Sequence, residues 1–469
     1  MRLSLDGLWV ALAILLPALI ALLVPLPAVD LAYQVRAGHA ILATGSVPRA
    51  DTWTFTVWGT PWLDQQWLAQ VLLAAGHAVG GWELLAVVRA ALVGTVTGLL
   101  VAVALVVGTG ARIGSVLALV AFALMAPALA LRPQLLGIAL FAGLLLLVAG
   151  RRRWPRAYWL APVLVLAWAN VHGSFVLGPV LLGYAWLDDL VAGRPGRRQS
   201  LWVLVIGSLA TILNPYLFNV WGYAVGIGAS GAIAGRVSEW QRTSPLGIPG
   251  LLFYPSLLAT AVLLYRSRRR VSWPTWALGV GMAAIGAWAV RGVAWWAIVM
   301  VFLVAIALAP DPRAAEAAAS RPRRANALNA AVVAVLGVAI VAALPWWRPS
   351  DPLAGRVGLL SYAPTALALE LADVARPGQR VAVPQLWASW LEWAVPDASY
   401  YIDSRFELYP LDVWNGYDDL AAGGAAGRAA VDRWSVEVVV VPPGGTEPDG
   451  SWARRIETPD GTILVGPQP

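Results

Sequence analysis

Asp30 is the residue best placed for chemistry. It follows the apolar run Gly7–Val29 at the point where the chain turns polar, so its carboxylate stands at the level of a lipid head group. A carboxylate there is suited to take a proton from an acceptor hydroxyl as a general base. The position equally suits a helix N-cap, which Asp favours, and the two roles are compatible. Asp51 is read as a second catalytic acid, with closure of a PxxD turn as its alternative. Asp64 is read as a substrate contact. Arg132 and Arg291 each end an apolar run, and a planar guanidinium recognises phosphate or pyrophosphate in bidentate fashion near lipid. Snorkelling toward lipid head groups is the alternative for both. His172 and Asn170 in one hairpin tip, and Glu239 in another segment, complete the candidate substrate contacts. A helix-end hydrogen bond is the plainer role for His172, and an ion pair with Arg236 or Arg242 the plainer role for Glu239.

The elements that position these groups are set by composition. Of 469 residues, 59% are hydrophobic and only 13% charged, so most of the chain lies in lipid. Every basic residue is arginine, gathered in short clusters between apolar runs, which is the positive-inside pattern and not a nucleic-acid face. The opening run is longer than a signal-peptide core and is read as a spanning helix. Further runs follow at 82–107, 113–131 and 134–150, then two each in 157–192, 200–265 and 271–309, and a last at 327–345. The basic clusters Arg151–Arg156, Arg194–Arg198, Arg266–Arg270 and Arg313 with Arg321–Arg324 fall at even helix intervals. That parity gives about eleven transmembrane helices, a cytoplasmic N-terminus and an extracytoplasmic C-terminus. The tips Arg132-Pro133-Gln134, Asn170–Gly173, Asn214-Pro215-Tyr216 and Arg291-Gly292 all fall on the outer side with Asp30, where polar groups need partners. The inner side is read as carrying arginine and little else.

The division expected is a transmembrane domain over 1–345, with a large first outer loop at 30–81, and an extracytoplasmic domain over 346–469. In the loop, 30–43 has helical spacing, 52–57 alternates as a short strand would, and 62–78 is again helical. After Pro345, helical patterns at 363–375, 387–393, 410–421 and 424–434 alternate with strand-like 380–384, 399–402 and 436–441. This pattern predicts a small α/β sheet domain that covers the cavity. With no cysteine, disulfides and thiolate chemistry are excluded. No Walker loop, no GxGxxG at a strand–helix junction, no HExxH and no GxSxG occurs. No residue is assigned as a metal ligand and no cofactor is fixed. A divalent cation, Mg2+ or Mn2+, is the one candidate, and no DxD spacing presents it.

Three short motifs carry a resemblance: acid-x-x-aromatic-x4-Gly at Asp30–Gly38, W-x-N-x-H-G at Trp168–Gly173, and I-D-x-R-x-E-L-Y at Ile402–Tyr409. With the layout of spans, they resemble the GT-C superfamily of integral-membrane glycosyltransferases. That superfamily includes dolichyl-phosphate-mannose mannosyltransferases and aminoarabinose transferases, and the chain is most similar to bacterial GT-C-like proteins. The resemblance implies inverting transfer of a sugar from a polyprenyl-phosphate donor to a glycan, lipid or protein hydroxyl, with the first-loop acid as base. It places the reaction at the outer face of the bacterial plasma (inner) membrane, with membrane lipids as neighbours and no nucleic-acid partner. Two features depart from the pattern: Leu31 follows Asp30 where the mannosyltransferases carry an acidic pair, and the DxD of metal-dependent relatives is missing. Asp403 and Arg405 are expected to pair with each other. The rival readings are a lipid-linked glycan flippase or transporter, and a non-catalytic envelope assembly protein.

Overall fold

The computed structural model describes residues 2–229, 235–269, 271–310 and 325–467. Arg270, Arg313 and Arg321–Arg324, used above for parity, lie outside these. By contacts the chain forms two compact units, one of 1–24 with 86–347, the other of 25–85 with 348–469. The opening loop thus belongs with the C-terminal region, whereas the sequence division had placed it with the helices.

The first unit is helical. Every apolar run of the sequence is a helix here, and seven helices among the described residues are long and apolar enough to cross a membrane. Four runs give shorter helices: Ala161–Ala169, Arg197–Ala210, Trp273–Trp288 and Ala327–Ala342. At 1.5 Å per residue none of these four reaches the ~30 Å of a hydrocarbon core unaided, so the expected eleven spans are realised as helices of unequal length. The opening helix ends at Leu23, six residues before the sequence reading ended it, because Pro25 and Pro27 deny the backbone a donor. Arg89 donates to the carbonyls of Ala21 and Val24 and so caps that end. The Val293–Leu308 helix is buried over nearly its whole length and forms the centre of the unit. Gly292 precedes it because a Cβ there would fall 2.1 Å from the Ile285 carbonyl oxygen.

The second unit is built around a five-stranded sheet of β1 (Arg380–Ala382), β2 (Ser399–Tyr400), β3 (Val438–Val441), β4 (Arg454–Thr458) and β5 (Gly461–Val465). Its order is β4-β5-β3-β1-β2. The β1 strand pairs in parallel with β2 and β3, while β5 pairs antiparallel with β3 and β4. β3 is the fully buried Val-rich strand that a parallel sheet requires. The expected strand at 52–57 is reduced to one bridge, Thr54 to Tyr400, since Asp51 draws the amides of Trp53 and Thr54 to its own side chain. The helix expected over 62–78 begins at Trp67 and is interrupted at Gly80–Gly81, where Gly81 takes φ +62. The Ala28–Thr44 helix packs along Gln385–Ala394, and Leu26–Pro27 forms a parallel pair with Leu360–Ser361.

Candidate active site

In the second unit the site starts from the Ala28–Thr44 helix. Pro27 holds its N-cap, so Asp30 lies inside the first turn and neither ends the opening helix nor caps this one. A carboxylate there is favoured by the helix dipole, and Asp30 is partly exposed. One turn later Tyr33 is buried. Burial, and then the negative charges of Asp30, Glu407, Asp64 and Asp403, hold its hydroxyl well above the usual phenol range. Tyr33 therefore keeps its proton, and its oxygen accepts from Gln34 Nε2. Gly38, last residue of the first motif, is explained by packing: a Cβ would stand 2.0 Å from the Gln70 carbonyl oxygen. That close approach brings Gln70 to Asp64, whose Oδ1 accepts from Gln70 Nε2 at 2.7 Å. Asp64 is buried, and burial raises its carboxyl to about 7 against the lowering pull of Gln70.

Asp51 has a different setting. It is fully buried, accepts from the Thr54 amide and hydroxyl, and forms a 2.5 Å ion pair with Arg405. Arg405 also binds Asp403, as the sequence suggested, with Nε donating to Oδ2 at 2.7 Å. The Arg405 guanidinium lies against the rings of both Trp53 and Trp62, 4.4 and 4.6 Å from their centroids. Two carboxylates, one cation and two indoles thus form one buried node, in which Asp51 has the setting of a framework residue. Glu392 is buried nearby in the same unit with neither carboxylate oxygen hydrogen-bonded, and its closest cation is Arg36 at 3.9 Å. Burial, then Asp403, push its carboxyl well above the usual range.

In the first unit the hairpin tips meet. Arg132 caps the Pro133–Gly150 helix and donates to Glu239, so Glu239 pairs with Arg132 instead of Arg236 or Arg242. Arg291 reaches Gln134 Oε1 at 3.4 Å and lies 4.3 Å over the Trp240 ring. Arg132, Gln134, Glu239 and Arg291 line one small cavity. Burial, then the positive charges of Arg291 and Arg132, keep His172 well below the usual imidazole range. Its Nδ1 accepts from the Ser174 amide at 3.1 Å, which leaves the proton on Nε2. Trp168 Nε1 donates to the Ser174 hydroxyl, and Gly137 admits this hairpin because a Cβ would lie 2.9 Å from that indole nitrogen. Asn170 ties the tip to its neighbour by donating to the Leu213 carbonyl at 3.1 Å. The W-x-N-x-H-G motif is therefore a hairpin lock that presents a neutral histidine beside two arginines.

Sequence reasoning named Tyr33 and Glu407 only as motif letters. Glu407 is exposed while its motif neighbours Asp403 and Arg405 are buried. Among the described residues no three His, Asp or Glu side chains are grouped as a metal ion would need.

No protein-family model matches the chain, and no curated protein matches it in sequence. Solved structures do match. The oligosaccharyltransferase of Archaeoglobus fulgidus in its apo form aligns at TM-score 0.57 and 14% identity, over 92% of this chain and 69% of that one. ArnT from Cupriavidus metallidurans bound to undecaprenyl phosphate aligns at TM-score 0.51 and 17% identity, over 98% of this chain and 99% of that one. Both are GT-C glycosyltransferases, and the fold of this membrane protein is the GT-C fold.

Proposed function

We propose that the protein is a glycosyltransferase that moves a sugar from a polyprenyl-phosphate donor to an acceptor hydroxyl at the outer leaflet of a bacterial plasma membrane. The observation that carries this reading is the likeness, end to end, to a GT-C enzyme whose structure holds undecaprenyl phosphate. Asp30 takes the proton of the acceptor hydroxyl. The freed oxygen attacks the anomeric carbon from the side opposite the phosphate, the carbon–oxygen bond to phosphate breaks, and the configuration inverts. Arg132 and Arg291, with the Nε2–H of His172, stabilise the charge that collects on the departing polyprenyl phosphate. Glu239 holds Arg132 in place until the donor arrives. Tyr33 and Asp64 orient Asp30 and the acceptor. No step is routed through a divalent cation, whose ligand set the described residues do not supply.

The test is transfer of a labelled sugar by the purified protein in nanodiscs supplied with a polyprenyl-phosphate sugar. Asp30→Asn is expected to lose on the order of 100-fold or more of the rate while retaining the fold. Full activity in Asp30→Asn removes the proposed base. Glycan crossing the bilayer with no covalent product replaces the enzyme with a transporter, and sustained transfer in EDTA keeps the metal out of the mechanism.

A further inference from the structure

The Pro133–Gly150 helix carries Arg132 at one end and Arg151 at the other, about 27 Å apart along its axis. The Leu177–Val191 helix likewise starts just after His172 and ends at Asp188 and Asp189. The sequence reading left this second end to arginine alone, and the structure corrects it. Arg151 is buried and binds Asp189 through Nε and Nη2, both at 2.9 Å, and Asp188 through Nη2 at 2.6 Å. Arg194 donates to the same two carboxylates at 2.6 and 3.1 Å, and Arg152 reaches Asp188 at 3.0 Å. Ser272 donates to Asp188 Oδ1 at 2.7 Å, and Ser200 donates at 2.6 Å to Asp189 Oδ2, the oxygen that also accepts from Arg151 Nε.

Three guanidinium groups therefore share two carboxylates. A fourth, Arg153, is engaged among the described residues over the ring of Trp154 at 5.7 Å. Over these described groups the sum is two positive charges in excess. Arg152 registers it: burial, then Arg151 and Arg194, lower its guanidinium from the usual range. Excess charge beside lipid is costly unless a counter-ion meets it. The space for one is present. A cavity of about 360 Å3 is lined by Arg151, Arg152, Arg153, Arg194 and Asp188 together with apolar side chains such as Phe302 and Ile306.

We propose that this cavity binds the phosphate of an anionic phospholipid, with the head group on Arg152 and Arg153 and the acyl chains along the apolar side chains. Phosphate itself is the chemistry the arginines recognise. The apolar part of the lining is what a soluble phosphate would leave unused, and basic pockets between membrane helices are suited to lipid head groups.

The experiment titrates the full-length protein with phosphatidylglycerol and, separately, phosphatidylcholine, and counts retained lipid by native mass spectrometry. Phosphatidylglycerol is expected to bind about tenfold tighter, a difference of ~1.4 kcal/mol. In the combined variant Arg152→Gln, Arg153→Gln that preference should disappear while the Arg151–Asp189 pair stays intact. Arg153→Gln alone, which removes the Trp154 contact, should weaken it severalfold and serves if the double variant does not insert. Equal retention of both lipids by the wild type, or an unchanged preference in either variant, overturns the proposal. Displacement of phosphatidylglycerol by millimolar inorganic phosphate overturns the lipid as the source and leaves a soluble anion in its place.

Discussion

Tyr33 shows how a single side chain is tuned by its neighbours. Four carboxylates bear on its buried hydroxyl, which accepts from Gln34 Nε2, so Tyr33→Phe removes that acceptor. Its expected outcome is a loss of ~1 kcal/mol of stability with a larger loss of transfer rate, read from melting curves and the labelled-sugar assay. Two buried acids give a pH dependence whose sign is fixed. Asp64 and Glu392 have folded-state pKa values above their unfolded ones, so the second unit binds more protons folded than unfolded between about pH 4 and the folded values. Stability is greatest below that window and falls as pH rises through about 7, the value for Asp64. Asp64→Asn keeps the oxygen that accepts from Gln70 and should raise the melting temperature at pH 8 while changing little at pH 5. Of the residues singled out by type and spacing, Arg132, Arg291, His172 and Glu239 come together in the first unit. Asp51 pairs with Arg405 in the second unit, a pairing not legible beforehand, because which carboxylate an arginine will claim is a matter of tertiary distance that spacing along a chain does not encode.

At the scale of the element, the helices were legible wherever apolar residues ran long enough, and so were β1, β2 and β3 with the helices between them. The hairpin of β4 and β5 went unread although Pro459-Asp460-Gly461 marks its turn, since one strand is largely exposed and lacks an apolar stripe. The end of the opening helix was misplaced for the opposite reason. Hydrophobicity continues through Val24-Pro25-Leu26-Pro27-Ala28-Val29, but the prolines break the hydrogen bonding that hydrophobicity alone suggests. Gly38 is where an element-scale prediction is sharpest. Gly38→Ala must push the Ala28–Thr44 helix away from Gln70, which is expected to cost ~1–3 kcal/mol. A fall in melting temperature, with transfer impaired beyond what stability alone accounts for, would show that the contact sets the position of Asp30.

For the whole molecule, the decisive feature is that the second unit is assembled from two stretches far apart in sequence. Asp51 and Arg405, which close its ionic node, are 354 residues apart. Arg405→Ala leaves two carboxylates buried without their cation and should destabilise the unit by ~3–5 kcal/mol. Limited proteolysis is expected to cut the 45–66 segment in that variant and to spare it in the wild type. Separation on this scale has a temporal consequence. A ribosome delivers Leu26 and Pro27 long before it delivers Leu360 and Ser361, so the early segment must wait, unpaired, while the intervening helices are synthesised. The helix that carries the acid at position 30 therefore meets its partners Gln385–Ala394 only after more than 340 further residues have been added, and a chain cut short of them lacks those surroundings.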